Sequence, residues 1–115
     1  MVSQTIQLIA QQNDAFRQGN PNIPGQRFVT AGINDLLKRW DIPPQQLAQQ
    51  VTEFSNFTED NDPYGEHDFG GFEFHEHKCF WKIDYYDQDY SMGSDDPSDL
   101  SKTCRALTIM LAEEY

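Results

Sequence analysis

Carboxylates crowd one short stretch of the chain, beside a single histidine. Residues 59–68 contain five acidic side chains and one histidine, on either side of Pro63 and Gly65. Carboxylate oxygens are the preferred ligands of Ca²⁺ and Mg²⁺, and a carboxylate beside a histidine can carry out acid–base chemistry. The stretch is therefore a candidate cation site and a candidate acid–base site, whose members are Glu59, Asp60, Asp62, Glu66, His67 and Asp68.

The stretch begins like a calcium-binding EF-hand loop, with Gly65 at the sixth position counted from Asp60. However, Tyr64 stands at the fifth position, and Gly71 stands at the twelfth, where a bidentate Glu belongs. We therefore exclude an EF-hand and expect turns in which Asp and Asn side chains accept hydrogen bonds from loop amides. The favoured prediction has no cofactor, and the alternative is a different cation site made of Asp60, Asp62 and Glu66.

A second set of metal-capable side chains follows at alternate positions. His75, His77 and Cys79 would share one face of a strand, with His67 not far away in sequence, and all are zinc-capable. A hairpin turn is predicted at residues 75–78, however, and it would break that shared face. Ordinary turn histidines are the favoured interpretation.

An enzymatic interpretation draws on a further polar cluster at Lys82, Asp84 and Tyr85. A hairpin would bring Asp68 and Asp84 to the base of the same strand pair, where paired carboxylates can hold a catalytic metal. The chain lacks a nucleophile elbow, a phosphate-binding glycine loop and a nuclease motif. A metal-assisted hydrolase or cation-binding protein is thus the alternative function, using Glu66, His67, Asp68, Lys82 and Asp84.

The net charge of the chain is concentrated in about a third of its length. The 115 residues carry a formal net charge of −11, and residues 59–99, with 13 acidic and two basic residues, account for all of it. Direct nucleic-acid binding is disfavoured because the chain has few cations to displace counterions. A solvated face that keeps the protein soluble is one explanation. An acidic surface that meets a basic partner is the other.

Acidic mimicry of a nucleic acid is the favoured function. A folded scaffold that spaces carboxylates along loops can imitate phosphates and compete for the basic channel of a nucleic-acid-handling complex. Tyrosines lie among these acids and suit interface anchors. The predicted partner-binding residues are Glu59, Asp60, Asp62, Tyr64, Glu66, Asp68, Tyr86, Asp87 and Asp89. The expected class is a non-enzymatic inhibitor of anti-restriction or anti-defence type, with no membrane partner.

These residues are carried by an expected α+β fold with a small, mostly antiparallel sheet. Apolar spacing and breakers predict helices over 3–17, 34–40 and 45–54, and a β-prone run over 27–30. Alternation of apolar and polar residues predicts a hairpin over 69–86, with a bulge or bend at Gly70 and Gly71.

A final helix is predicted over residues 98–114. Leu100, Cys104, Leu107 and Leu111 follow a helical repeat, and Ser98 suits the N-cap. Three aspartates would then lie at the positive end of the helix dipole, whereas two glutamates would lie unfavourably at its negative end. These are Asp95, Asp96 and Asp99, and Glu113 and Glu114.

Length and cysteine content place the chain in a broad class. A chain of 115 residues is expected to form one domain, here a helical extension over 1–25 and a core over 26–115. No stretch reaches the roughly 20 apolar residues that span a bilayer. The first residues lack the features of a signal peptide, so Cys79 and Cys104 are expected as free thiols of a cytoplasmic protein.

Three segments resemble a known type of sequence. They are residues 57–70 (FTEDNDPYGEHDFG), 80–87 (FWKIDYYD) and 105–115 (RALTIMLAEEY). Together they are similar to an uncharacterised bacterial domain-of-unknown-function family of short acidic proteins, over residues 26–115. The resemblance implies no activity. Such proteins are associated with plasmids and other mobile elements, which implies an interaction role.

Overall fold

The computed structural model describes residues 3–115, which form helices on one side of a four-stranded mixed sheet. The expected α+β class is confirmed. The helices are α1 (Gln4–Arg17), α2 (Ala31–Arg39) and α3 (Pro44–Thr52), and the strands are β1 (Gly25–Val29), β2 (Phe69–Phe74), β3 (His77–Tyr86) and β4 (Cys104–Leu111), followed by a 3₁₀ turn (Ala112–Glu114).

The sheet has the strand order β1-β4-β3-β2, so that β4 and β3 are central and β1 and β2 are edges. β4 pairs antiparallel with β3 and parallel with β1. The expected hairpin is confirmed: β2 pairs antiparallel with β3, and its turn lies at His75 and Glu76, both with positive φ. Gly70 and Gly71 lie within the regular pairing of β2, so the expected bulge is absent there. A side chain at Gly70 would collide with the indole of Trp81.

The prediction of a C-terminal helix is wrong, because residues 104–111 form the central strand β4. β4 has buried side chains on both faces of the sheet: Leu107 and Ile109 on one face, and Ala106 and Met110 on the other. A strand buried on both faces presents a nearly continuous apolar run, which also satisfies a helical repeat. Ser98 caps no helix, and it donates instead to the carboxylate of Asp96 in a loop.

The three helices pack against one face of the sheet, where the main core lies. Ile33 of α2 and Val51 of α3 are buried in the same cluster as Trp81, Ile83 and residues of β4. Burial of these side chains supplies the main stabilisation, at about 1.5–3 kcal/mol for each large apolar group. Thr30 caps α2 by accepting from the Ile33 amide, so this helix begins three residues earlier than expected.

The first helix has the expected N-cap, because the Ser3 hydroxyl accepts from the Ile6 amide. Its buried side is more polar than the sequence indicated. Gln12, Asn13 and Arg17 are buried together with Ile9 and Phe16. α1 is therefore fastened to the sheet by polar contacts as well as by apolar ones.

The other face of the sheet, which we call the open face, is turned away from the core cluster that contains residues of α2 and α3, although Ala106 and Met110 of β4 are buried on it. Alternation along β3 directs Phe80, Lys82 and Asp84 to this face, opposite to the buried Trp81 and Ile83. Phe69 and Phe80 lie side by side there, with ring centroids 5.0 Å apart, and the C-terminal Tyr115 packs on both. The open face thus carries two half-buried phenylalanines and the exposed Tyr115.

The cysteines and the helices agree with the sequence on two points. Cys79 and Cys104 are both free thiols, as expected, and Cys79 is buried in the core. None of the helices between residues 3 and 115 has the length and apolar character needed to cross a membrane.

Glu114 lies at the positive end of a helix, contrary to the expectation that it would lie at a negative end. Its carboxylate accepts from the Gly32 amide and the Thr30 hydroxyl at the start of α2, and from the Leu111 amide. The carboxylate oxygens lie so close to Gly32 that any side chain there would collide with them. These hydrogen bonds lower the pKa of Glu114 although partial burial opposes the shift.

Replacement of Glu114 by Ala is expected to destabilise the protein by about 1 kcal/mol, because the amide at the start of α2 and the Thr30 hydroxyl lose their acceptor. Urea denaturation at neutral pH measures this difference. The matched change Glu113→Ala removes the same charge from an exposed neighbour and should cost much less. An equal cost for both variants would contradict the capping role.

Candidate interaction surface

Carboxylates converge where the loop before β2 reaches the end of the hairpin. The Ile83 amide donates to the carbonyl oxygen of Asp68 at 2.8 Å, which extends the β2–β3 ladder by one residue. Burial raises the pKa of Asp68 to about 6, and the charges of Glu66, Asp62 and Asp84 contribute to the shift. Asp68 and Asp84 therefore lie near one another at the end of the hairpin.

The partner-binding residues of this loop differ in exposure. Asp62 is buried, and its carboxylate accepts from the His67 amide at 3.2 Å, so that it organises the loop from within. Glu59 and Asp60 are exposed, and Tyr64 is 75% exposed. The loop walls a cleft of about 750 Å³, lined by Glu59, Asp62, Tyr64 and His67 together with Ile6, Phe57 and neighbouring loop residues.

His67 is held by a stack and by two carboxylates. Its ring lies parallel to that of Phe57 at 3.9 Å between centroids, and Nδ1 lies 3.0 Å from the Asp14 carboxylate. Nε2 lies 3.7 Å from Asp62 Oδ2. His67 has a φ of 57°, in the left-handed region. Both ring nitrogens face carboxylates of the protein, so the imidazole serves as a connection between α1 and the loop.

The residues of the alternative catalytic cluster have separate partners. Lys82 Nζ forms an ion pair with Asp84 at 3.0 Å on the open face, and this bond raises the pKa of Lys82. His67 pairs with Asp14, and Glu66 accepts a long hydrogen bond from the Tyr85 hydroxyl at 3.4 Å. Asp68 is near both Glu66 and Asp84, but the five side chains do not converge on one centre.

Neither predicted set of metal ligands forms a metal-binding group. Within residues 3–115, no three His, Cys, Asp or Glu side chains are placed to hold a metal ion together. This applies to Asp60, Asp62 and Glu66 as a set. The turn at His75 and Glu76 separates His75, whose Nε2 lies 3.0 Å from Gln46 Oε1, from the other two. His77 and Cys79 both lie in β3 at alternate positions, and the Cys79 thiol donates to the His77 carbonyl oxygen.

The loop after β3 uses its aspartates to build turns. Asp87 accepts from the amide and hydroxyl of Ser91, and Asp99 accepts from those of Ser101. These hydrogen bonds lower the pKa of both aspartates, which therefore remain ionised. Asp89 is exposed beside them. The acids of this loop are structural and at the same time fixed negative charges.

Tyr86 lies at the end of β3, between the open face and this loop. It is half-buried, packs against Tyr90 at 5.9 Å between ring centroids, and pairs with Gly93 by a β-bridge. It follows Asp84 on the same face of the sheet. We use the name acidic margin for a set of carboxylates at the end of the hairpin and in the loops on either side of it: Glu66, Asp68, Asp84, Asp87 and Asp89.

A buried polar network that the sequence did not indicate supports the acidic margin from beneath. The Arg105 side chain donates from Nε to Asn13 Oδ1 at 2.6 Å and from Nη2 to Gln12 Oε1 at 3.0 Å. Asn13 Nδ2 donates to the Tyr85 hydroxyl and to the Glu66 carbonyl oxygen. Burial raises the pKa of Tyr85, which stays protonated and able to donate to Glu66.

One sequence family matches most of the chain. The profile of the family described as protein of unknown function (DUF3768) matches residues 29–114. The chain belongs to this family, which confirms the resemblance over nearly the expected range. No curated protein and no solved structure matches the chain. Most of β1 and the whole of α1 precede the matched residues, although α1 supplies Asn13 and Arg17 to the buried contacts.

Replacement of Asp68 by Asn is expected to stabilise the protein at pH 7 by about 1–2 kcal/mol, after allowance for solvent screening of a partly exposed group. The raised pKa means that ionisation of Asp68 destabilises the folded state. This penalty is complete above pH 6, and it disappears as the pH falls towards the unfolded pKa of 3.8.

Urea denaturation of both proteins between pH 4 and pH 7 measures this effect. The stability difference between the variant and the wild type should shrink as the pH falls. The control Asp89→Asn changes an exposed carboxylate and should leave the pH dependence nearly unchanged. A destabilised Asp68→Asn variant at pH 7 would contradict the assigned cause.

Proposed function

We propose that this protein is a non-enzymatic interaction protein that binds a basic protein surface through its acidic margin and the adjoining open face. The observation that carries the proposal is the crowding of like charges around Asp68. Burial is the main cause of the raised pKa of Asp68, the charges of Glu66, Asp62 and Asp84 add to it, and Lys82 pairs with Asp84 alone. Like charges held together cost stability, and such a cost is typical of a functional surface.

The composition of this surface supports a protein partner. Interfaces often combine aromatic residues at the centre with a charged rim that remains solvated. The open face provides Phe69, Phe80 and Tyr115, and Asp84 and Tyr86 lie on the same face further along β3. An acidic rim steers a basic partner into contact and makes the association rate dependent on salt.

A nucleic-acid-handling complex is the kind of basic partner that we favour. Its binding groove presents cations at positions that neutralise phosphates, and fixed carboxylates can occupy those positions. Asp87 and Asp99 suit this role because their turns hold them in place and keep them ionised. The proposed result is inhibition by competition with DNA or RNA.

A charge-reversal pair tests the proposal. The double variant Asp89→Lys with Asp95→Lys changes two exposed residues of the loop after β3: Asp89 belongs to the acidic margin, and Asp95 lines the same groove as Asp87 and Asp89. The variant Asp35→Lys with Glu53→Lys makes the same charge change on the helical side. Each immobilised protein is exposed to bacterial lysate at low and at high salt, and the retained proteins are quantified by mass spectrometry. Duplex DNA and RNA are added as competitors.

We expect the wild type and the helical-side variant to retain the same basic proteins at low salt. We expect the loop variant to retain about tenfold less, since each lost interfacial charge reduces steering and affinity. Equal retention by both variants, or retention that does not depend on salt, would overturn the acidic-surface proposal. Retention that neither nucleic acid can displace would overturn the mimicry of a nucleic acid.

A further inference from the structure

A second surface lies at the β1 edge of the sheet, and its lining is mainly apolar, unlike the acidic margin. A cavity of about 360 Å³ opens between β1, α2 and α3. Leu107 and Ile109 of β4 form part of its lining, and Leu37 and Leu47 contribute from the helices. Its size and apolar lining are typical of a binding groove.

Along this groove, the edge of β1 that faces away from β4 pairs with no other strand among residues 3–115. The Pro24 carbonyl accepts from the Arg105 amide, and the Thr30 amide donates to the Ile109 carbonyl. Because backbone groups alternate in direction along a strand, the amides and carbonyls of Gly25, Arg27 and Val29 point away from β4. All five residues of β1 are exposed. This edge can accept a further strand.

Arg27 gives the groove a charge. It is the one charged residue among those that line the cavity, and the Phe16 carbonyl oxygen accepts from one of its nitrogens. Its guanidinium lies 4.7 Å from the centroid of the Phe16 ring. Among residues 3–115, no carboxylate lies within ion-pair distance of Arg27, although the chain has 19 acidic residues.

We propose that an extended peptide segment of a partner protein adds as a fifth strand to the free edge of β1. An apolar side chain of that segment enters the cavity between β1 and α3, and a carboxylate of the segment meets Arg27. Strand addition beside a helix obtains affinity from main-chain hydrogen bonds and specificity from a pocket for alternate side chains. The free edge, the apolar cavity and the unpaired cation together specify this ligand.

A second copy of the chain is a poorer occupant. Antiparallel pairing of two β1 strands about their midpoints would place Arg27 opposite Arg27, and like charges opposite each other on paired strands are destabilising. Two copies also carry a net charge of −11 each. A peptide with one carboxylate satisfies the same edge without these repulsions.

Selection from a display library of random dodecapeptides on the immobilised full chain tests the proposal. Enriched peptides are synthesised with a fluorescent label, and their affinities are measured by polarisation. We expect them to share an apolar residue and an acidic residue on the same side of an extended strand. Amide hydrogen exchange of the wild type with such a peptide should slow at Gly25, Arg27 and Val29.

Three variants and a control separate the parts of the site. Val29→Pro removes an outward amide and is compatible with an edge strand, Ala48→Phe fills the cavity, and Arg27→Gln removes the cation. Each should weaken the selected peptides by about tenfold or more, which corresponds to 1.4 kcal/mol. Gln45→Phe makes a comparable change on α3 away from the cavity lining and should have no effect.

Several results would overturn the proposal. These are the absence of enriched peptides, equal binding to Ala48→Phe and Gln45→Phe, and slowed exchange at β2 instead of β1. A concentration-dependent dimer that loses its contact in Val29→Pro would assign the edge to a second copy. If Val29→Pro does not fold, the exchange measurement on the wild type and the Ala48→Phe variant still decide the outcome.

Discussion

The arrangement of this molecule depends on one buried cation, the guanidinium of Arg17. Its side chain is 2% exposed, pairs with Asp14 at 2.9 Å, and lies about 5 Å from the rings of Phe57 and Trp81. It also donates to the carbonyl oxygens of Val51 and Thr52 at the end of α3. A charge in the interior is costly unless ion pairs or hydrogen bonds compensate it, and loss of one partner then destabilises the fold. α1, α3, the loop after α3 and β3 therefore have to assemble around Arg17 together.

This constraint separates the structural acids from those available to a partner. Asp62 is buried and Asp14 is half-buried, and both hold His67, so the histidine between these carboxylates joins α1 to the loop. Asp68 and Asp84 have no comparable role in fastening α1, yet they are kept near one another against their mutual repulsion. Within residues 59–99, the fold thus distinguishes carboxylates that accept hydrogen bonds of the loops, such as Asp62, from carboxylates that crowd the end of the hairpin, such as Asp68 and Asp84.

The local sequence pattern predicts correctly those helices and strands whose apolar residues recur with a single helical or strand spacing. The hairpin, with Trp81 on its buried side and a turn at His75, and the capped start of α1 follow from alternation and from Ser3. The sequence of β4 predicts a helix, because a strand buried on both faces lacks the alternation of apolar and polar residues that identifies a strand. The contact between Arg105 and Asn13 joins residues 92 positions apart, and no local pattern reports such a pairing. The sequence also does not predict which aspartates are exposed, since carboxylates that form turns and carboxylates that stay free occur in the same kind of sequence.

The strand order has a consequence for the time at which the chain can fold. β1 is the first strand and β4 the last, yet they are neighbours in parallel pairing at one side of the sheet. During synthesis, β1 and the apolar sides of α2 and α3 emerge well before β4, so they have no sheet to pack on until the last strand is available. Pairing of this kind closes a long loop at an entropic cost and slows folding. The ribosome-bound chain therefore passes through a stage in which α1, α2, α3 and three strands have been synthesised while the sheet still lacks the central strand that joins β1 to β3.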